Sequence, residues 1–132
     1  MKQEDKELLL KDLCGRLPYK VKVTTASAAV KFGIISGISI ENKISVRTKH
    51  ADIVFNCTEV KPYLFPLSSM TEEESNKFQQ LNAECDNMPT FDYISIEHYR
   101  IFDWLNKNHF DYRGLIEKGL AIDATDLDFI EV

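Results

Sequence analysis

The residues of this chain best suited to chemistry are two His-x-Asp pairs, His50 with Asp52 and His109 with Asp111. Side chains two positions apart in an extended segment point the same way, so each pair could offer a metal ion one imidazole nitrogen and one carboxylate oxygen. The first pair falls in a predicted turn, however, and Asp111 is well placed to cap the short turn that follows it. The sequence therefore predicts no metal site and no cofactor.

Nucleophilic catalysis finds no better support. Cys14 falls at the end of a predicted helix, where the helix dipole disfavours a thiolate, and neither Cys57 nor Cys85 has a histidine beside it in the sequence. The chain carries no phosphate-binding glycine loop, no His-Glu-x-x-His and no Gly-x-Ser-x-Gly. These absences favour a protein that is not an enzyme and leave catalysis open, and a metal-dependent hydrolase using His109 and Asp111 is the least favoured alternative.

The composition is that of an ordinary globular domain. The 132 residues are 44% hydrophobic and 28% charged, which favours a single domain spanning residues 1–132. The apolar run Leu8–Leu10 is too short for a signal peptide or a membrane span, so we expect a cytoplasmic protein without a membrane partner. The three cysteines show no Cys-x-x-Cys pairing, and reduced, mostly buried thiols are expected.

Charge is distributed unevenly along the chain. Residues 16–61 have a net charge of +5 and residues 62–132 a net charge of −9, within a total of −5. One interpretation is that two parts of one domain attract each other; the other is a basic surface for an anionic partner. The candidates for contacts with a nucleic acid are Lys20, Lys22, Lys31, Lys43, Arg47 and Lys49.

An N-terminal helix is predicted over residues 1–15. Leu9, Leu10, Leu13 and Cys14 fall on one side of it, and Gly15 is expected to end it.

Residues 19–61 have the two-residue period of β-strands. Val21 and Val23 alternate with polar residues, and apolar residues occupy even positions from Val30 to Val46, which assigns Phe32 to the core. Turns are expected at residues 41–43 and 49–52, a bulge or bend at Ser36–Gly37, and further strands at 53–55 and 57–60. The pattern predicts a strongly bent antiparallel sheet or a small SH3-like β-barrel, and we prefer the barrel; an open sheet with helices on one face is the alternative.

The rest of the chain reads as an extended connector and a helical part. Pro62 and Pro66 fix the connector, and two or three helices are expected over residues 68–119. The first begins at a capping box, either Ser69 with Glu72 or Thr71 with Glu74, and turns Phe78 and Leu81 inward. The second, over residues 94–108, has an apolar stripe that includes Ile101, Phe102 and Leu105, and Trp104 falls outside it. Gly119 is expected to end a short turn that Asp111 caps, residues 120–122 to add an edge strand, and residues 123–132 to form an acidic tail.

These elements predict an α+β fold: an N-terminal helix, the bent sheet or barrel, and the C-terminal helices packed on it. The leading functional hypothesis is a non-enzymatic accessory protein that binds another protein, with contact residues Trp104, Tyr112, Arg113 and Tyr63. Core packing is the alternative role for each of these side chains. Binding of nucleic acid by a basic barrel is the second hypothesis.

Three segments carry a resemblance to known sequences: 13–19 (LCGRLPY), 60–74 (VKPYLFPLSSMTEEE) and 103–121 (DWLNKNHFDYRGLIEKGLA). They resemble a family of small uncharacterised proteins found widely in gut bacteria, their phages and mobile elements. The segments cover about a third of the chain, and the tail after Ile122 departs from the family's usual ending. The resemblance implies a phage or mobile element inside a bacterial cell as the setting, and it brings no catalytic residue with it.

Overall fold

The computed structural model describes residues 2–27, 32–86 and 96–125 and has the predicted α+β composition. Within these ranges, three helices, three short 3-10 turns and seven strands follow one another. The helices are α1 (Gln3–Arg16), α2 (Glu72–Asp86) and α3 (Ile96–Lys107), and the 3-10 turns are Leu17–Tyr19, Cys57–Glu59 and Leu67–Ser69. The strands are β1 (Lys22–Thr25), β2 (Gly33–Ile38), β3 (Lys43–Arg47), β4 (Asp52–Asn56), β5 (Val60–Pro66), β6 (Phe110–Asp111) and β7 (Ile122–Asp123).

The sheet is open and mixed, so the predicted SH3-like barrel is wrong. Its strand order is β4-β3-β2-β1-β5-β6, and β7 also pairs with β5. Neighbours among β1 to β5 are antiparallel, whereas β6 and β7 run parallel to β5. The barrel prediction failed because it ended the sheet at residue 61, whereas the chain continues as β5 and takes up two later strands instead of closing on β4.

The segment predicted as a connector is thus a strand. Cys57–Glu59 forms a 3-10 turn rather than a strand, and Val60–Pro66 forms β5. Pro62 lies opposite Val23 in the β1–β5 ladder. The backbone N–H of Ala26 donates to the carbonyl of Glu59, and because hydrogen-bonded pairs alternate along an antiparallel ladder, the pair of Val23 and Pro62 has no hydrogen bonds. Pro62 therefore removes no bond from the β1–β5 ladder, which explains how a strand interior tolerates it.

Strand β2 departs from the predicted alternation. Gly33 and Ile35 face the core and Ile34 does not, while Phe32 is 42% exposed rather than buried. A Cβ on Gly33 would lie 2.1 Å from Cγ1 of Val46, so glycine is what lets β2 approach β3 here. The pairing with β3 shifts between Ile35 and Gly37, which confirms the predicted bulge and explains why the phase of the alternation changes along the strand.

Helix α1 begins near its predicted start but continues through Gly15 to Arg16. Leu9 and Leu13 are fully buried, as the pattern predicts, whereas Cys14 is exposed. Gly15 lies against α3, since an added Cβ would come within 3.1 Å of Nδ2 of Asn106. A close approach between helices therefore explains this glycine, which the sequence pattern assigned to a helix end.

The C-terminal half follows the sequence more closely. Thr71 and Glu74 form the predicted capping box, since each side chain accepts a hydrogen bond from the other residue's backbone N–H. The turn after Asp111 ends at Gly119, whose φ of 75° is left-handed. Residues 1, 28–31, 87–95 and 126–132 lie outside the described part of the chain, so Lys31 and most of the predicted acidic tail are not described.

The core has two apolar clusters. The larger joins one face of β1 to β5 to Leu9 and Leu13 of α1 and to Leu115 and Leu120 after β6. The smaller joins Leu81 of α2 to Ile101 and Leu105 of α3 and to Phe110 of β6. No helix in the described ranges is long and apolar enough to cross a membrane.

Candidate binding surface on the outer face of the sheet

The sheet has a second face, turned away from the core, which we call the outer face. Val21 and Val23 are fully buried, so Lys22 between them points to the outer face. The strand register then aligns Lys22 with Ile34, Ile34 with Arg47, and Arg47 with Asp52, in one row across β1 to β4. Two of the six predicted nucleic-acid contacts therefore share a single row.

Two further lysines join this face. Lys43 precedes the buried Ile44 on β3 and therefore points outward. Lys61 follows the buried Val60 on β5 and points outward for the same reason. Lys43 lies opposite Asn56 and its ammonium donates to the Asn56 side chain, while Lys61 lies opposite Thr24. Within β1 to β5 the outer face thus has four cationic side chains, Lys22, Lys43, Arg47 and Lys61, and one carboxylate, Asp52.

Asp52 offsets little of the positive charge on the outer face. Nε of Arg47 lies 3.2 Å from Oδ1 of Asp52, with 69% and 47% of the two side chains exposed. Exposed pairs of this kind are worth about 0–1 kcal/mol because water screens them. A phosphate could therefore compete with Asp52 for the Arg47 guanidinium at little cost.

Two aromatic rings lie on the same face. The ring of Phe32 is 5.5 Å from that of Tyr63 on β5, with 31° between the ring planes. Tyr63, a predicted protein contact, is 9% exposed, whereas Phe32 is 42% exposed. Sequence reasoning assigned Phe32 to the core and so missed the residue that gives the outer face an exposed ring.

Lys20 and Lys49, two further residues of the predicted basic set, lie in turns next to β1 and β3. Lys20, in a left-handed conformation with φ of 55°, lines a cleft of about 350 Å³ together with Arg47 and Ile34. Lys49 is exposed in the turn between β3 and β4. Five of the six residues thus lie on β1, on β3 or in the turns that adjoin them, and Lys31 is not among the described residues.

Two predicted protein contacts, Tyr112 and Arg113, belong to a polar network in the interior. Nη1 of Arg113 donates to Oδ1 of Asp12 at 2.9 Å and to the Tyr112 hydroxyl at 2.8 Å. That hydroxyl donates to Oδ1 of Asn106 at 2.9 Å. The Arg113 guanidinium also lies 4.6 Å from the centre of the Tyr112 ring, so both side chains are held by neighbours in this chain.

Arg16 links this network to the helical half. Its Nε and Nη2 bind the two oxygens of Asp12 at 2.8 and 3.1 Å, and both side chains are completely buried. Nη1 and Nη2 also donate to the carbonyls of Leu105 and Phe110. The four-residue spacing of Asp12 and Arg16 on α1 was the signal in the sequence that could have revealed this pair.

Trp104, the remaining predicted contact, packs between α2 and α3. Its ring stacks on Phe78 with 9° between the planes and a centroid distance of 6.3 Å, and it lies 5.6 Å from the ring of Phe110. The partly buried ring also lines a groove of about 410 Å³ with residues of α2, among them Glu73 and Lys77.

The two His-x-Asp pairs are not arranged as metal sites. Both carboxylate oxygens of Asp111 accept backbone N–H groups, those of Leu115 at 2.9 Å and Ile116 at 3.0 Å, which makes Asp111 the predicted cap. His50 is exposed in its turn, and Asp52 pairs with Arg47. No cluster of three or more potential metal ligands occurs in residues 2–27, 32–86 and 96–125.

His109 has an unusual environment. Its φ of 59° is left-handed, and Nδ1 is buried without a hydrogen-bond partner. Burial first, and the nearby Arg16 guanidinium second, lower the pKa of His109 to about 4, so the imidazole is neutral at pH 7. A neutral ring next to a buried guanidinium avoids placing two positive charges together.

Comparisons with protein-family models, with curated proteins and with solved structures gave no match to this chain.

Proposed function

We propose that this protein is a non-enzymatic accessory protein that binds single-stranded nucleic acid on the outer face of its sheet. The observation that supports the proposal is that Lys22, Lys43, Arg47 and Lys61 share the outer face with the exposed ring of Phe32. The setting implied by the sequence resemblance, a phage or mobile element in a bacterial cytoplasm, is part of the same proposal.

Electrostatics favours this face over the rest of the molecule. A chain with a net charge of −5 repels polyanions in general, so binding requires a local surface of opposite sign. The outer face supplies four cations against one carboxylate, and cations spaced along several strands suit a phosphate backbone better than a compact anion.

The exposed ring favours single strands over duplex. Unstacked bases can lie on an aromatic side chain, and such stacking is worth about 1–3 kcal/mol per base. Phe32 rests on Tyr63, which holds its ring in place and lowers the entropy lost when a base stacks on it. Bases that remain paired within a duplex do not offer this contact.

The first experiment measures binding of fluorescent single-stranded DNA and RNA oligonucleotides by anisotropy over a range of salt concentrations. Neutralising four phosphates predicts that the logarithm of the binding constant falls with the logarithm of salt concentration with a slope of about −3. The double variant Lys43→Glu/Lys61→Glu should lose binding. The control Lys11→Glu/Lys118→Glu changes net charge equally at exposed sites off this face and should retain it.

A second comparison tests the aromatic contact. Phe32→Ala should weaken binding by about 5- to 150-fold, equivalent to the loss of one stacked base. Phe102→Ala is the matched control, since Phe102 on α3 is 41% exposed against 42% for Phe32. Equal effects of the two variants, or wild-type binding that does not respond to salt, would overturn the proposal.

Binding of a protein partner is the second candidate function, and α3 provides the observation that favours it. Tyr99 and Phe102 are exposed there and line a shallow cleft of about 320 Å³ with Arg100, Asp103 and Asn106. Affinity capture from bacterial lysate, with nuclease treatment, tests this function: a stoichiometric protein lost with Tyr99→Ala/Phe102→Ala but kept with Phe32→Ala would support it. Capture that depends on Phe32 and disappears after nuclease treatment would favour the outer face.

A further inference from the structure

The end of the sheet at β4 has features of an unfilled pairing site. Among the described residues β4 has a strand neighbour, β3, on one side, and no strand pairs with its other side. Edge strands of soluble proteins are commonly protected by a lysine, a proline or a bulge. The sequence of β4, Asp52-Ile-Val-Phe-Asn56, contains none of these; its one charged residue, Asp52, is its first residue and pairs with Arg47, and the pairing of β4 with β3 is regular throughout.

The backbone polar groups on this edge can be assigned from the register. The N–H of Thr48 donates to the carbonyl of Ala51, and hydrogen-bonded pairs alternate from there along the β3–β4 ladder. Ile53 and Phe55 therefore direct their N–H and C=O toward β3, while Asp52, Val54 and Asn56 direct theirs away from the sheet. The N–H of Asn56 is already bonded to Oε1 of Glu59, whereas its carbonyl points outward.

The side chains of this edge are apolar on both faces of the sheet. Val54 is 63% exposed on the outer face, and Ile53 is 38% exposed on the core side. Ile53 extends the apolar row that begins with Ile35 and Val46, so the hydrophobic face of the sheet continues to its border. A strand added here would bury both side chains, and burial of this kind stabilises a complex in proportion to the apolar area covered.

We propose that β4 pairs with β4 of a second copy of this chain, antiparallel and centred on Val54, to form a symmetric dimer. In this register the two Val54 residues exchange N–H···O=C bonds across the two-fold axis, and the N–H of Asp52 donates to the partner's Asn56 carbonyl. This inference does not depend on the proposed nucleic-acid binding.

Side-chain chemistry makes a second copy the fitting occupant. The register sets Ile53 opposite the partner's Phe55, which continues the apolar row of each sheet into the other. On the outer face Asp52 lies beside the partner's Asn56, which Lys43 of that copy contacts, so opposite charges come together and like charges do not face each other directly. The axis is perpendicular to the sheet, so the two outer faces would form one continuous surface.

The oligomeric state of the full chain tests the dimer. Sedimentation velocity from about 1 µM to 1 mM protein should show a species of twice the chain mass of 15.2 kDa that dissociates on dilution. Val54→Lys places two ammonium groups beside the axis and should yield monomers over the same range. Val54→Thr keeps a β-branched, uncharged side chain and should still dimerise.

Amide hydrogen exchange gives a readout specific to the register. In a monomer the Val54 N–H faces solvent and exchanges quickly, whereas in the dimer it is slow, and the protection should increase with protein concentration. The Ile53 and Phe55 amides, bonded to β3, should be protected in both states and serve as internal controls. A wild type that stays monomeric, a dimer that Val54→Lys leaves intact, or a dimer with a rapidly exchanging Val54 amide would each overturn the proposal.

Discussion

Asp12 and Arg16 are charged residues whose side chains are completely buried. A charge removed from water is costly unless it is paired and hydrogen-bonded, and Arg16 meets that condition through Asp12 and the carbonyls of Leu105 and Phe110. Asp12 also forms an ion pair with a second guanidinium, that of Arg113. One carboxylate therefore holds together α1, the end of α3 and the chain after β6.

Replacement of Asp12 should accordingly be severe. Asp12→Ala leaves the buried Arg16 without a counter-charge, and we expect a loss of about 3–5 kcal/mol in the free energy of unfolding. Asp52→Ala breaks the exposed pair with Arg47 and should cost at most about 1 kcal/mol. Urea unfolding followed by circular dichroism measures both, and similar losses for the two variants would contradict the structural role of the buried pair.

His109 makes stability depend on pH in a defined direction. Its pKa is lowered from 6.5 to about 4 in the folded chain, by burial first and by the Arg16 guanidinium second. Of the smaller contributions, the charge of Lys22 also lowers this pKa and the charge of Asp12 raises it. The unfolded chain therefore binds a proton at higher pH than the folded chain. The stabilising contribution is complete above about pH 6.5 and is lost as the pH falls toward 4; it is at most about 3.5 kcal/mol, at 1.4 kcal/mol per pKa unit.

His109→Asn separates this contribution from that of the carboxylates. Asparagine accepts the left-handed backbone at position 109 and does not titrate in this range. The difference in unfolding free energy between about pH 7 and pH 4.5 should be smaller in this variant than in the wild type. His50→Asn, at an exposed site, should leave that difference as it is in the wild type, and equal pH dependence of all three proteins would refute the assignment to His109.

At the scale of elements, local signals in the sequence predicted what local chemistry determines. The capping box of Thr71 with Glu74, the cap at Asp111 and the left-handed Gly119 all involve residues a few positions apart, and all are confirmed. Burial of Leu9 and Leu13 in α1 follows from their spacing in the same way. Such features need no knowledge of the rest of the fold.

Errors arose where distant segments decide the structure. The two-residue period was read in the wrong phase around Phe32 because Gly33, which has no side chain, occupies a core-facing position against Val46. Gly15 was assigned to a helix end although it lies against Asn106, ninety-one positions further along the chain. Glycine signals both a turn and a close approach, and the sequence alone does not separate the two.

The candidate site shows the same division. The basic residues were recognised by charge, which is a property of the sequence itself. That they share one face with Phe32 depends on the register of β1 with β2 and β5, which long-range pairing determines. The charged network was missed for a similar reason, since Asp12 and Arg113 are far apart in sequence and meet only in the fold.

At the scale of the whole molecule, the polar network joins the two apolar clusters. Arg16 belongs to α1, whose leucines pack in the larger cluster, and its guanidinium binds the carbonyls of Leu105 and Phe110, whose side chains pack in the smaller one. Opening the smaller cluster would remove the Leu105 and Phe110 carbonyls from the buried Arg16 guanidinium. Because a buried charge without these hydrogen bonds raises the free energy of the remaining fold, the two clusters are coupled.

This coupling predicts a single unfolding transition. Trp104, the one tryptophan of the chain, packs in the smaller cluster, so its fluorescence reports unfolding there, while far-ultraviolet circular dichroism reports helices and strands throughout. The two signals should change at the same urea concentration in the wild type. Arg16→Met keeps an apolar stem but removes the donors to Leu105 and Phe110, and it should make the Trp104 transition precede the other. Separate transitions in the wild type would show that the clusters unfold independently and that the buried charges stabilise each part without joining them.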